Sequence, residues 1–242
     1  MKKLFIILFL IPMVLSGREY TILSYNIQHG EGLDEQVDLL RIADVIRDEA
    51  PFVACIQELD SCAKRTDYHN QLQELAEATK MYPCFAPAID FQGGRYGVGI
   101  LCSEKPISVR HIPLPDRSEP RVLLMVEFES FIMACTHLPL TEEDRMKSLP
   151  LIVENAEASS KPFLLAGDWN DEPGSPFIQA MGEKFRFCSD TQYLSFPSDK
   201  PKVCIDYIAV SKKNGASVEV REQSIIHCPF SDHLPIAVRV NL

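Results

Sequence analysis

The sequence predicts an α/β protein in which two β-sheets pack together and helices cover their outer faces. Three observations lead there. Short runs rich in β-branched and aromatic residues recur along the whole chain, and several are apolar at consecutive positions, the pattern of strands covered on both faces. Few segments carry helical periodicity, too few for a doubly wound fold with a helix after nearly every strand. The length of 242 residues suits one large domain, and no low-complexity linker or internal repeat divides it.

The elements follow in order. Lys2 and Lys3 precede an apolar run from Leu4 to Leu15, then Ser16 and Gly17. A charged start, a short apolar run and a small-residue exit read as a secretory signal peptide over 1–17, with export expected and the folded domain covering 18–242. The run is short for a bilayer span, and an N-terminal membrane anchor is the alternative. No second apolar run in the mature chain reaches membrane length. Strand-like runs fall at 20–27, 52–57, 97–102, 121–128, 131–136, 163–167, 204–210, 217–221 and 235–241. Leu39, Ile42, Ala43 and Ile46 keep the i, i+3, i+4, i+7 spacing of a helix face, with Asp38 as its N-cap. Leu72, Leu75, Ala76 and Thr79 repeat that spacing. A third helix is expected over 142–158, kinked or split at Pro150, and a short fourth at 175–181.

Charge narrows the partners. The formal net charge is −10, and removal of Lys2 and Lys3 makes the mature chain more negative still. Such a surface repels duplex DNA unless a basic track offsets it. The basic clusters Lys64–Arg65, Lys200/Lys202 and Lys212–Lys213 are each short. Eight cysteines would suit a disulfide framework in an exported chain, but Cys55, Cys102, Cys135 and Cys204 lie inside apolar strand-like runs, where Cys behaves as a small buried hydrophobe. Mostly free thiols are expected, with a disulfide among Cys62, Cys84, Cys188 and Cys228 left open. No CxxC pair offers a zinc site.

Polar residues recur where the strand-like runs end. "TILSYNIQHG" carries Asn26, "VACIQELD" carries Gln57 and Glu58, and "FIMACTHLPL" carries Thr136 and His137. "LLAGDWNDEP" ends in Asp168 and Asn170, which face the same way in an extended chain. Taken singly each is an ordinary turn, cap or satisfied core residue. Asp206 is different: flanked by Cys204, Ile205, Tyr207 and Ile208, its carboxylate is costly to bury without a partner. A histidine is the natural one, with its tautomer then set by the carboxylate.

In order, Asn26, Gln57-Glu58, Thr136-His137, Gly167-Asp168-Trp169-Asn170, Asp206-Tyr207 and Ser231-Asp232-His233 resemble the motifs of the endonuclease/exonuclease/phosphatase superfamily. That superfamily includes DNase I-like nucleases, abasic-site endonucleases, sphingomyelinases and inositol polyphosphate 5-phosphatases. "SYNIQHGEG" and "DFQGGRYGVGILCSEKPI" are most similar to its compact exported bacterial metal-dependent hydrolases. The resemblance implies a four-layer α/β sandwich of two mostly antiparallel sheets packed face to face, with the site at one end between them. It also implies phosphoester hydrolysis with Mg2+, Mn2+ being a substitute.

Carried over residue by residue, the resemblance makes Glu58 the metal ligand, assisted by Asn26 and Asp232. Asp168 orients or deprotonates the attacking water, and Asn170 holds a phosphate oxygen. Asp206 backs His233, which serves as base or phosphate clamp. His137 is a phosphate ligand or leaving-group acid. Arg95 is either a phosphate contact or a structural ion pair. The expected substrate is a small or lipid-linked phosphoester and the expected state a monomer. A nuclease, disfavoured by net charge, is the alternative, and an inactive binding module is the remote one.

Overall fold

Every predicted strand run contains a strand, and among the described residues the strands form two six-stranded sheets. The computed structural model describes residues 17–242, so the predicted signal segment, apart from Gly17, lies outside the described residues. Along the chain the strands are β1 (Glu19–Asn26), β2 (Val53–Ser61), β3 (Tyr82–Phe91), β4 (Gly94–Cys102), β5 (Ser108–Leu114) and β6 (Arg121–Glu127). They continue as β7 (Ile132–His137), β8 (Phe163–Asp168), β9 (Phe185–Phe187), β10 (Asp206–Ser211), β11 (Glu219–Ile225) and β12 (Ile236–Asn241). One sheet runs β11-β12-β1-β2-β4-β3 and the other β5-β6-β7-β8-β10-β9.

Both sheets are mixed by the same rule. β1 and β2 are parallel in the first and β7 and β8 in the second; every other pair is antiparallel. A parallel pair needs a crossover, and the helices supply it. The helix α1 (Leu39–Glu49) joins β1 to β2, and after α2 (Gln71–Thr79) comes α3 (Glu142–Ala158), which joins β7 to β8. A fourth, α4 (Pro176–Lys184), follows β8. Asp38 caps α1 as expected, accepting from the Leu40 N–H at 2.9 Å. Ser175 caps α4 with Pro176 in its first turn, where the missing N–H costs nothing.

Three apolar clusters define four layers. Ile22, Val53, Cys55 and Ile100 of one sheet meet Leu124, Met133, Leu164 and Ile208 of the other in the central core. Ile42, Ile46, Leu72 and Leu75 of α1 and α2 cover the outer face of the first sheet. Ile152, Phe177 and Met181 of α3 and α4 cover the second. The consecutive apolar positions in the sequence are therefore strands with a core on each side.

Three strands are additional to those expected: β3, β5 and β9. All three are sheet edges. Pro83 and Pro87 in β3, and Pro113 in β5, read against a strand, yet an edge leaves the missing N–H facing away from any ladder. The kink or split expected at Pro150 is corrected: α3 is one helix through it. Pro150 deprives the Met146 carbonyl of a donor, and Met146 is exposed, so water can take that bond. All eight cysteines are free thiols, six of them buried, which closes the disulfide left open. Among the described residues no helix is long and apolar enough to cross a membrane.

Candidate active site

Strand pairing brings the site together. Parallel pairing places His137 of β7 beside Asp168 of β8, and antiparallel pairing places Asp206 of β10 on the other side of Asp168. Three titratable side chains thus stand abreast at one end of the second sheet. At the same end of the first sheet, β1 and β2 place Asn26 beside Gln57. The approach to β12 closes the gap, with the Ser231 hydroxyl donating to the Asn26 carbonyl at 2.7 Å. A cavity of about 400 Å3 opens between the sheet ends, lined by Glu58, His137, Asp168, Asn170, Asp232 and His233. Gly167 makes the approach possible: its φ is 148°, and a Cβ there would lie 1.9 Å from the Thr136 carbonyl oxygen.

Asp168 is the hub. Its Oδ2 lies 3.1 Å from Asn26 Nδ2, 3.4 Å from His137 Nε2 and 3.6 Å from His233 Nε2. Its Oδ1 accepts the Asn170 backbone N–H at 2.9 Å. Burial raises its pKa above the usual carboxylate range; His233 opposes the rise and Asp206 reinforces it. The Asp206 partner inferred from sequence is present: His233 Nδ1 donates to Asp206 Oδ2 at 2.8 Å. Ser195, which nothing in the sequence singles out, donates to the same oxygen at 2.6 Å. Burial disfavours charge on His233, but Asp206 and Asp168 outweigh it and raise the imidazolium pKa to about 10. Asp168, Asp206 and His233 present possible ligand atoms within 4.8 Å of one another, but those atoms are largely spent on each other.

Glu58 is aimed by backbone strain. The register of β2 against β4 slips between Ile56 and Leu59, and Glu58 takes φ 60°, which turns it out of the ladder into the cavity. Asn26, fully buried, donates through Nδ2 to Glu58 Oε1 at 3.0 Å, while its own amide oxygen accepts the Gln28 N–H. Asn26 therefore orients both Glu58 and Asp168 as a donor. Glu58 and Asp232 offer carboxylate oxygens to one open cavity, a donor set that fits a hard cation retaining several waters.

Arg95 does not join the cavity. It starts β4 with its side chain 61% exposed and pairs with Asp90 at 3.8 Å. Strand alternation sends its neighbour Tyr96 inward instead. Arg65 and Arg121 supply the guanidinium groups at the cavity, Arg121 being 5% exposed and paired with Glu119 at 3.0 Å. In the sequence Arg65 is half of a short basic cluster and Arg121 the start of an apolar strand, so neither stands out.

His137 is held neutral. Burial lowers its pKa well below 6.5, and the charges of Arg121 and His233 lower it further. The unfolded chain takes up a proton that folded His137 refuses, so this residue makes stability fall as pH drops through 6.5. With metal-free protein, wild type is expected to lose up to about 1.4 kcal/mol per pH unit more than His137→Asn between roughly pH 6.5 and 5. Asp168 and His233 face this ring in both proteins, and urea unfolding at stepped pH measures the difference. Parallel curves would mean that His137 is protonated in the fold.

A family model described as the Endonuclease/Exonuclease/phosphatase family matches residues 23–233. The chain belongs to this family, and it is a metal-dependent phosphoester hydrolase. No curated protein matches its sequence. Similar solved structures include an endonuclease/exonuclease/phosphatase from Bacteroides vulgatus, 18% identical, with a TM-score of 0.77 and coverage of 93% of this chain and 99% of that one. A mannosyl-6-phosphatase from Bacteroides thetaiotaomicron is 17% identical, with a TM-score of 0.74 and coverage of 92% and 100%. A humanized D. rerio TDP2 is 19% identical, with a TM-score of 0.72 and coverage of 93% and 99%. At these identities the likeness is one of fold.

Proposed function

We propose that the protein is a Mg2+-dependent hydrolase of small or lipid-linked phosphoesters, with Mn2+ as a substitute, acting as an exported monomer. The observation that carries this reading is the cavity of about 400 Å3 closing on Asp168, large enough for one phosphoryl group and a compact leaving group. A similar fold serves a mannosyl-6-phosphatase, which is a precedent for a small substrate. Export rests on the charged and apolar pattern of residues 1–17 alone.

Glu58 and Asp232 would hold the metal, with Asn26 orienting Glu58. When bound, Mg2+ polarises a phosphoryl oxygen and neutralises developing charge. The remaining work belongs to side chains. His233, protonated and donating through Nδ1 to Asp206, has only a donor to offer through Nε2. That leaves Asp168, whose pKa is raised towards neutrality, as the acceptor of the proton from the attacking water. The water oxygen bonds to phosphorus as its proton passes to Asp168, the bond from phosphorus to the ester oxygen breaks, the leaving oxygen takes a proton from solvent, and Asp168 returns its proton to solvent to complete the turnover. Asn170, Arg121 and neutral His137 face the phosphate oxygens as donors.

The test is salt dependence across a substrate panel. A nuclease that grips several phosphates loses apparent affinity with a slope near −0.9 per contact in the logarithm of salt concentration. A pocket holding one phosphate should show a slope of about one or less between roughly 50 and 200 mM salt. Hydrolysis of small or lipid phosphoesters with that weak dependence is expected, together with poor plasmid nicking. Tight, steeply salt-dependent DNA cleavage would hand the function to the nuclease reading.

A further inference from the structure

We propose that Tyr96 is a further catalytic residue, whose hydroxyl donates a hydrogen bond to the ester oxygen as it leaves phosphorus. The inference rests on the phosphoester-hydrolase reading above. Tyr96 lines the cavity and is 9% exposed, yet among the described residues its hydroxyl makes no hydrogen bond. A buried phenol ordinarily finds a partner, so an idle one beside the cavity keeps its donor for what enters there. The ring is braced beforehand. The Arg65 guanidinium carbon lies 5.5 Å from its centroid, and the Phe91 ring is 6.2 Å away. Asp60, fully buried, accepts from Arg65 Nε at 2.7 Å and Nη2 at 2.9 Å, which fixes that guanidinium in turn. A donor held in place before the reaction needs no reorganisation when charge develops.

Position decides which oxygen it meets. In an in-line displacement the attacking and leaving oxygens lie on opposite sides of phosphorus. The base, Asp168, ends β8 within 3.1 Å of Asn26 at the end of β1, and His137 and His233 stand beside it at 3.4 and 3.6 Å. β4 lies beyond β2 from β1 in its own sheet and packs over β6 and β7 of the other. Tyr96 therefore shares its side of the cavity with Arg65, Glu119 and Arg121, and Glu58 of β2 stands between it and Asp168. A water attacking from Asp168 drives the leaving oxygen towards Tyr96. The oxygens that stay on phosphorus already have Asn170, Arg121 and His137 as donors, so the leaving oxygen is the one without a partner.

The bonding pair passes from phosphorus to the leaving oxygen, and the phenol O–H stabilises that charge without giving up its proton. A phenol is protonated at neutral pH, and burial, with Glu58 close by, raises the Tyr96 pKa further. The leaving oxygen then takes its proton from solvent, and Tyr96 is unchanged at the end of the turnover. A hydrogen bond to a charged oxygen is stronger than one to a neutral ester oxygen, so the gain falls in the transition state. It grows with the basicity of the leaving oxygen.

Tyr96→Phe removes the hydroxyl and keeps the ring against Arg65 and Phe91. Under Mg2+, kcat/KM is compared for 2,4-dinitrophenyl, p-nitrophenyl, phenyl and ethyl phosphate, each as the monoester and as its methyl diester, in order of rising basicity of the leaving oxygen. The variant is expected to match wild type within about twofold on the dinitrophenyl ester and to lose about ten- to a hundredfold on the phenyl and ethyl esters, the scale of a hydrogen bond to a charged group. Calorimetric titration with orthovanadate and with phosphate gives a reading without turnover. Five-coordinate vanadate places an oxygen at the leaving position, so the substitution should weaken vanadate about tenfold more than phosphate. Equal losses on every ester, or on both anions, would overturn the inference and leave the hydrolase reading standing. Failure of wild type to hydrolyse any of the esters would sink both.

Discussion

Glu58→Gln is expected to cut turnover by about two to three orders of magnitude at low Mg2+, the scale of a lost ligand to a catalytic metal, with part of the rate returning at high Mg2+. The substitution is nearly isosteric. The glutamine would keep the left-handed backbone and could still accept from Asn26 Nδ2 at the position where Glu58 does, at 3.0 Å. What it loses is the charge. Asp232 lines the same cavity and remains, which is why added metal should recover some activity. Rate against Mg2+ concentration, paired with calorimetric metal titration of both proteins, measures the effect. Wild-type activity at low Mg2+ would remove Glu58 from the metal site.

Asp206→Asn is expected to lower the rate by on the order of 10²-fold or more while the fold persists, in the range of a lost acid–base contribution. An amide oxygen can replace Oδ2 as acceptor for both His233 Nδ1 and the Ser195 hydroxyl. It cannot stabilise a positive imidazole, so the raised pKa of His233 should fall. Among the described residues Asp206 Oδ1 is buried with no partner, and an NH2 placed there would be an unsatisfied donor costing about 1–3 kcal/mol. A reduced but cooperative melt beside a much lower kcat is the expected pattern. An NMR titration showing His233 equally basic in both proteins, or full activity in the variant, would break the proposed link between the two residues.

How much of this was legible depends on where a residue's signal comes from. Burying a carboxylate needs a partner, so Asp206 was visible as unusual within its own strand, and Asp168 and Asn170 stood out where an apolar run stopped. The interior strands were legible because a strand with a core on each face must be apolar at consecutive positions. The edge strands β3, β5 and β9 were not. An edge pairs on one side and tolerates proline, so its pattern carries little constraint.

The sequence by itself determined the layered α/β class, the order of nine of the twelve described strands and of the four helices, the family motifs and the residue types at the strand ends. Only the tertiary structure decided which of these meet and in what role. The pairing of β7, β8 and β10 sets His137, Asp168 and Asp206 abreast, and a bulge in β2 aims Glu58. Asn26 became a donor to two carboxylates because its amide oxygen is taken by a neighbouring N–H. Alternation along β4 exchanged Arg95 for Tyr96, and a turn after β2 delivered Arg65, held by Asp60 five residues earlier. The physical reason is one of range. Burial cost and periodicity act on a residue and its close neighbours, whereas the direction of a side chain into a shared cavity is set by strand register and packing between segments far apart in the chain.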